Sequence, residues 1–276
     1  METGEQYPIT LVTAYFELGG KPGSSRNRYP DWIRNFLPLV RWPLVVFCDE
    51  QSVDMLKEAR GDKPAVWHVT RPQDFYACRY LDEQERIKFD AGDVLVTRSL
   101  IWHEKHHFLR QALSENPFGS EMLFWCDIGQ FRYNPDAPLW SVWRLTFRLF
   151  EDIEWPGLEV CRALPQDKAV LVRGFYGQDY MAALFFGGAV EPSRRWCDAY
   201  YRHFAQRKQK GVCIRREEEV MVSCWRERRE LVFAILSDCV PYIRGRRRLG
   251  YRFYLLNGRR FPWKYAFRRL FSGSAR

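Results

Sequence analysis

The sequence predicts an α/β fold in which a mostly parallel sheet is flanked by helices. Short apolar runs rich in β-branched residues alternate with stretches of helical periodicity in the first half of the chain. Two of these runs end directly in an aspartate, at Asp49 and at Asp127. Strand–helix alternation is typical of parallel sheets with crossover helices, and such sheets bind ligands beyond the carboxyl ends of their strands.

The elements of the first half follow one another regularly. In chain order they are a predicted strand at 9–16, a helix at 31–40, a strand at 43–48, a helix at 53–59, a strand at 65–69, a helix at 94–113 and a strand at 122–126. Residues 73–93 are mixed and polar, and we expect a helical excursion there. The break at 116–120 contains Pro and Gly, which separate the last helix from the last strand.

The second half is less regular. Apolar runs predict strands at 169–172 and 182–186, and Gly187-Gly188 is expected to end the second of them. Helices are predicted at 192–209 and 217–228. We find no internal repeat and no linker before about residue 240, so we predict one domain over 1–243, followed by a separate C-terminal segment at 244–276.

Composition narrows the class of protein. Hydrophobic residues make up 46% of the 276 residues and aromatics 16%, which is enough for a sizeable core and excludes a largely disordered chain. The 8 cysteines form no C-x-x-C pair, and several lie inside apolar runs. In a chain of this length, their number favours a reducing compartment over a disulfide framework. The start of the sequence has no signal-peptide pattern, and no window is apolar for long enough to span a membrane. We therefore expect a cytoplasmic protein, with peripheral contact to a membrane left open.

The positive charge is concentrated at the C-terminal end. The segment 244–276 has basic residues and no acidic one, whereas the rest of the chain is close to neutral despite the net charge of +9. Arginines alternate there with aromatic residues. We favour a final helix that packs its aromatics on the domain, then an anionic membrane surface, and last a single-stranded nucleic acid.

Asp127 is the first candidate for chemistry. A carboxylate at a strand end can hold a divalent cation, which neutralises a diphosphate. Gly129 would let the backbone approach the phosphates closely. The alternative is that Asp127 merely caps the following turn.

Several motifs in this order resemble the HtrL/YibB (WlaTC/HtrL) family. The resemblance covers roughly residues 8–240. It is carried by Leu11-Val12-Thr13-Ala14-Tyr15-Phe16, Tyr29 with Trp32, Pro43-Leu44-Val45-Val46-Phe47-Cys48-Asp49, Trp102 with Glu104-Lys105, Asn116-Pro117-Phe118 and Phe124-Trp125-Cys126-Asp127-Ile128-Gly129-Gln130-Phe131-Arg132. The family is similar to glycosyltransferases of the GT-A fold. It implies a nucleotide-sugar donor and a hydroxyl acceptor on a glycan or lipid-linked glycan.

The resemblance also implies roles for individual residues at the donor site. Thr13 and Tyr15 would line the nucleotide, and Asp49 would hold the base or ribose. Asp127 matches the first position of the GT-A Asp-x-Asp motif, which holds Mn²⁺ or Mg²⁺. The third position is Gly129 instead of a second acid, so the metal needs another ligand or is absent. Lys105 and Arg132 could then supply positive charge to the diphosphate.

Two further segments have family counterparts. Gly187 and Gly188 resemble the apolar-Gly-Gly segment that closes over the sugar, although a plain strand end would explain them equally well. Glu217 and Glu218 resemble the acidic pair that deprotonates or contacts the acceptor, with Glu218 slightly preferred as general base. An inverting reaction would follow from such a base. The alternative is an acidic first turn that complements the helix dipole.

A competing motif lies in the long helix. His103-Glu104-Lys105-His106-His107 is a literal H-E-x-x-H, in which His103 and His107 could bind zinc with Glu104 as base. The family resemblance instead leaves the histidines on the helix surface. A zinc metallohydrolase and a non-catalytic basic module that binds membrane or nucleic acid through 244–276 therefore remain as alternatives to the transferase.

Overall fold

The computed structural model describes residues 7–18, 29–38, 40, 42–128, 164–175, 179–212, 214, 216–237 and 253–255. Within them lies one sheet of eight strands. In chain order the strands are β1 (Ile9–Tyr15), β2 (Leu44–Cys48), β3 (Ala65–Val69), β4 (Met122–Cys126), β5 (Ala169–Phe175), β6 (Asp179–Ala189), β7 (Val232–Ser237) and β8 (Phe253–Leu255).

The strands lie in the order β3-β2-β1-β4-β6-β5-β7-β8. The first four are parallel, with Val12 of β1 beside Val45 of β2 and Trp125 of β4. Strand β6 runs antiparallel to both of its neighbours, while β5 and β7 are parallel. The α/β fold with a mostly parallel sheet, predicted from the sequence, is confirmed.

Helices cover both faces of the sheet. They are α1 (Tyr29–Phe36), α2 (Val53–Arg60), α3 (Glu83–Asp90), α4 (Val94–Glu115), α5 (Val190–Gln209) and α6 (Glu217–Glu227). Apolar side chains of α1 and α2 share one core with one face of β1, β2 and β4. Those of α4, α5 and α6 share a second core with the opposite face. The fold is thus a three-layer arrangement, with the sheet in the middle.

Arg60 shows how local chemistry fixes this frame. Its buried guanidinium donates to the carbonyls of Leu37, Val40 and Trp42 at 2.6–2.7 Å. These carbonyls lie in the chain that leads from α1 to β2. One cation therefore satisfies several buried acceptors at once, which an apolar side chain could not do.

Most predicted elements are found, with three differences. Residues 72–80 form two short 3-10 turns before α3 instead of one excursion. The expected end of a strand at Gly187-Gly188 is wrong, because β6 continues through both glycines to Ala189. Residues 253–255, for which no strand is predicted, form an edge strand beside β7. No helix among the described residues is both long and apolar enough to cross a membrane.

Candidate active site

Asp127 lies at the carboxyl end of β4, in the centre of the sheet. Its backbone N–H donates to the carbonyl of Leu184 on β6 at 2.9 Å, which continues the ladder one residue past the strand. Its side chain is about 25% exposed. The predicted position at a strand end is confirmed, and the carboxylate is reachable from solvent.

A buried lysine meets this carboxylate from the helix layer. Lys105, in the middle of α4, places its ammonium 2.9 Å from Asp127 Oδ2. The same ammonium donates to Glu217 Oε1 at 2.8 Å and, more weakly, to the carbonyl oxygen of Ala183 at 3.4 Å. The side chain is only 5% exposed. All three N–H bonds of Lys105 are therefore directed at protein acceptors.

Glu217 and Glu218 begin helix α6, but they differ in accessibility. Glu217 is 3% exposed and takes part in the ion pair with Lys105. Glu218 is half-buried, so it is the more accessible of the two. The two acids predicted from the sequence therefore lie in the first turn of one helix, one inside the protein and one near its surface.

The electrostatics of this cluster follow from burial. Burial opposes the charge on Lys105, but the neighbouring Asp127 and Glu217 outweigh it and hold the lysine pKa above its usual range. Burial raises the pKa of Glu217 to about 7, against the opposing effect of Lys105. The two acids thus hold the lysine in its protonated form, while burial favours the neutral form of Glu217 more than it would for an exposed glutamate.

Asp49 lies at the carboxyl end of β2, on the same edge of the sheet. Its carboxylate accepts the backbone N–H of Glu17 at 2.6 Å and that of Ser52 at 2.8 Å. It thereby ties the residues after β1 to the start of α2. The aspartate predicted from the strand end is present at this edge and organises two neighbouring loops.

Thr13 and Tyr15, the other predicted nucleotide residues, are buried near the end of β1. The Thr13 hydroxyl has no hydrogen-bond partner within the described ranges. The Tyr15 hydroxyl donates to Glu17 Oε2 at 2.6 Å, and burial together with Glu17 raises the tyrosine pKa. Tyr15 also packs against Tyr29, with ring centroids 5.6 Å apart. Both side chains are buried near the carboxyl end of β1.

Gly187 and Gly188 are explained by the sheet itself. Their φ angles are +143° and +129°, a region that favours glycine. A Cβ on Gly187 would lie 2.2 Å from the carbonyl oxygen of Leu123 and 2.7 Å from Cα of Phe124. Gly187 therefore permits the close approach of β4 to β6, whereas a Cβ on Gly188 would meet its nearest neighbours at an ordinary distance of 3.5 Å or more.

The H-E-x-x-H residues have structural roles. Glu104 is buried and accepts the backbone N–H groups of Tyr76 and Ala77, both at 2.8 Å, so it caps the second 3-10 turn. His103 Nδ1 lies 2.7 Å from the Tyr200 hydroxyl, and the His107 ring stacks on Tyr76. The expectation that the histidines lie on the helix surface is wrong for His103 and His106, which are buried, while His107 is half-buried.

The described residues do not by themselves fit a divalent cation. They hold no group of three His, Cys, Asp or Glu side chains that could bind a metal. One oxygen of Asp127 already faces an ammonium, which would repel a second cation nearby. Among the described residues, the predicted metal site thus consists of the Asp127 carboxylate, which is shared with Lys105. Gly129, Arg132 and nearly all of 244–276 lie outside the described residues.

The resemblance places Lys105 and Asp127 together at the donor diphosphate and Glu217 at the acceptor, and it does not predict that all three form one cluster. It also missed Ala183, whose carbonyl oxygen completes the surroundings of the ammonium. One sequence signal could have indicated the cluster. Lys105 lies on an apolar face of a long predicted helix, and a lysine that is buried in this way needs acidic partners.

Comparison with known proteins gives little beyond this geometry. No protein-family model matches the chain, and no curated protein matches it. Solved structures do match. One is 4-diphosphocytidyl-2C-methyl-D-erythritol synthase from Anaerococcus prevotii, with 9% identity over 83% of this chain and 87% of that chain, and a TM-score of 0.40. The function is therefore inferred from the site itself.

Proposed function

We propose that the protein is a glycosyltransferase with a GT-A-like fold, similar to the HtrL/YibB family. It moves a sugar from a nucleotide-sugar donor to a hydroxyl of a glycan or lipid-linked glycan. One observation carries the proposal. The ammonium of Lys105 joins the carboxylate at the end of β4 to the carboxylate that begins α6. The resemblance implies that Asp127 contacts the donor and that Glu217 contacts the acceptor. Both carboxylates therefore lie around one cation, where the two substrates would meet.

The donor would lie along the edge formed by Asp49 and Asp127. These residues follow β2 and β4, the two strands that flank β1. Ligands of parallel sheets bind at such carboxyl ends. In this proposal Asp49 holds the base or ribose, and Asp127 marks the diphosphate. Arg132, together with Lys105, would supply charge to the leaving group.

Glu218 is the proposed general base because it is more accessible than Glu217. It takes the proton of the acceptor hydroxyl while that oxygen forms a bond to the anomeric carbon. The bond from the anomeric carbon to the diphosphate oxygen breaks, and its electron pair leaves with the nucleoside diphosphate. Attack opposite the leaving group inverts the anomeric centre. A lipid-linked acceptor would also bring the basic segment 244–276 to an anionic membrane surface.

A thermal-shift screen tests the proposal. We expect at least one of UDP, GDP, CDP or ADP, or a corresponding nucleotide sugar, to raise the melting temperature with or without manganese, since a ligand that binds only the folded state stabilises it. Asp127→Ala should lose most of this shift, while Asp90→Ala, at an exposed end of α3, should keep it. The absence of any shift in the wild-type protein would overturn the proposal.

A further inference from the structure

The Lys105 ammonium is shared by two acids. Among the described residues, it pairs with the carboxylates of both Asp127 and Glu217. The three N–H bonds of that ammonium are directed at Asp127, Glu217 and the carbonyl oxygen of Ala183. A phosphate oxygen could gain a hydrogen bond from Lys105 only if one of these acceptors gives way.

An anionic diphosphate at Asp127 would bring further negative charge to these two carboxylates. Like charges within a few ångströms favour protonation of one of them. Glu217 is 3% exposed and Asp127 is 25% exposed. Because burial penalises the charged form, Glu217 is the carboxylate that takes the proton more easily.

We propose that Glu217 takes up one proton from solvent when a donor diphosphate binds beside Asp127, and that this releases Lys105 to hydrogen-bond a phosphate oxygen. The inference rests on the proposed function. The proton moves from a solvent donor to a carboxylate oxygen of Glu217, and no other covalent bond changes. When the nucleoside diphosphate leaves, Glu217 returns the proton and pairs with Lys105 again.

The surroundings of Glu217 support this assignment. The groups that act on it are Lys105 from α4, Glu218 on its own helix, Asp127 through the shared ammonium, and Tyr200 from α5. Burial, with these carboxylates, holds the pKa of Tyr200 well above its usual value, so the tyrosine stays neutral. Burial raises the pKa of Glu217 to about 7, so its protonation at neutral pH needs little free energy.

Calorimetry tests the proton count directly. The diphosphate that binds the wild-type protein best, among UDP, GDP, CDP and ADP, is titrated at pH 7.5 in two buffers of different ionisation enthalpy. We expect wild-type protein to take up more protons than Glu217→Gln, by a good fraction of one proton. Glu219→Gln, an exposed neighbour on the same helix turn, should match the wild type. The ionisation of the nucleotide itself is common to all three proteins and cancels.

The wild type gives a second measurement if Glu217→Gln folds poorly. The proton uptake beyond that of the free nucleotide should be largest above pH 7, between the pKa of Glu217 in the free protein and its higher value in the complex. It should disappear at pH 5.5, where Glu217 is already protonated. Binding with a proton count that is the same in wild type and Glu217→Gln, or independent of pH, would overturn this inference and leave the proposed function standing. A failure of all four diphosphates to bind would instead overturn the proposed function.

Discussion

The ammonium of Lys105 lies 2.8 Å from Glu217 Oε1, although the two residues are 112 positions apart in the chain. The contact joins the middle of α4 to the first turn of α6, behind the end of β4. Both side chains are almost completely buried. In such surroundings a charge that loses its partner is costly, so this pair supports the fold as well as the site.

Removal of the ammonium should therefore destabilise the protein. We expect Lys105→Met to lower the free energy of unfolding by about 3 kcal/mol at pH 8, because Glu217 and Asp127 lose their shared cation. Urea denaturation measures the loss. The matched control is Lys88→Met on the exposed side of α3, which should stay within about 0.5 kcal/mol of wild type. Equal stability of the two variants would contradict the role given to Lys105.

The pH dependence of stability should report on Glu217. Its folded-state pKa of about 7 lies above the value of about 4.3 expected in an unfolded chain. Between these values the folded state binds more protons, so this contribution to stability is fully present below about 4.3 and is lost as pH rises through 7. Relative to Glu217→Gln, the wild type should gain on the order of 2 kcal/mol between pH 8 and pH 5.5.

Denaturation of both proteins across this pH range measures the effect of Glu217. Glu219→Gln supplies the control, because an exposed carboxylate on the same helix should leave the difference from wild type nearly constant. The opposite result would be a wild-type protein that loses stability relative to Glu217→Gln as the pH falls. It would contradict the conclusion that burial raises the pKa of Glu217.

Gly187 should tolerate no side chain. In Gly187→Ala the new Cβ meets the backbone of Leu123 and Phe124, which cannot move without opening the pairing of β4 with β6. We expect a loss of about 3 kcal/mol or more, measured by thermal or chemical denaturation. Gly211→Ala has a positive φ of 71° but open space around it, so it should cost only about 1 kcal/mol. Similar losses in both variants would refute the contact.

Glu104 should act as a structural cap. Glu104→Ala leaves the N–H groups of Tyr76 and Ala77 without their acceptor, and we expect a loss of about 2 kcal/mol. The exposed Glu58→Ala on α2 should change stability little.

A zinc chelator should leave the wild-type melting temperature unchanged. A melting temperature that falls when the chelator is added would instead support a zinc site at the H-E-x-x-H motif.

Much of the sheet could be predicted from the sequence because its signals are local. The predicted bounds of the strands at 65–69 and 122–126 agree with the structure, because short apolar runs between turn residues are typical of buried strands. The glycines of β6 were misread as a strand end. Glycine usually weakens or interrupts a strand. Here β6 continues through Gly187, because the missing side chain leaves room for the backbone of β4, and this contact is visible only in the structure.

The site was only partly predictable, for a related reason. Asp49 and Asp127 were found because a strand end is a local feature. The link between Lys105 and Glu217 depends on how two distant helices pack. The polar residues His103 and His106 were expected at a surface, but α4 is covered by the sheet on one side and by α5 and a 3-10 turn on others. Polarity alone therefore misplaced them.

The release of nucleoside diphosphate from a panel of nucleotide sugars tests the central claim most directly. We expect wild-type protein to release it from at least one donor, faster when a glycan acceptor is added. Asp127→Asn should lower kcat/KM by about a hundredfold, as loss of a charged group at the reacting end of the donor can do, and Asp90→Asn should match the wild type. No turnover of any nucleotide sugar, or equal turnover by Asp127→Asn and the wild type, would contradict the account.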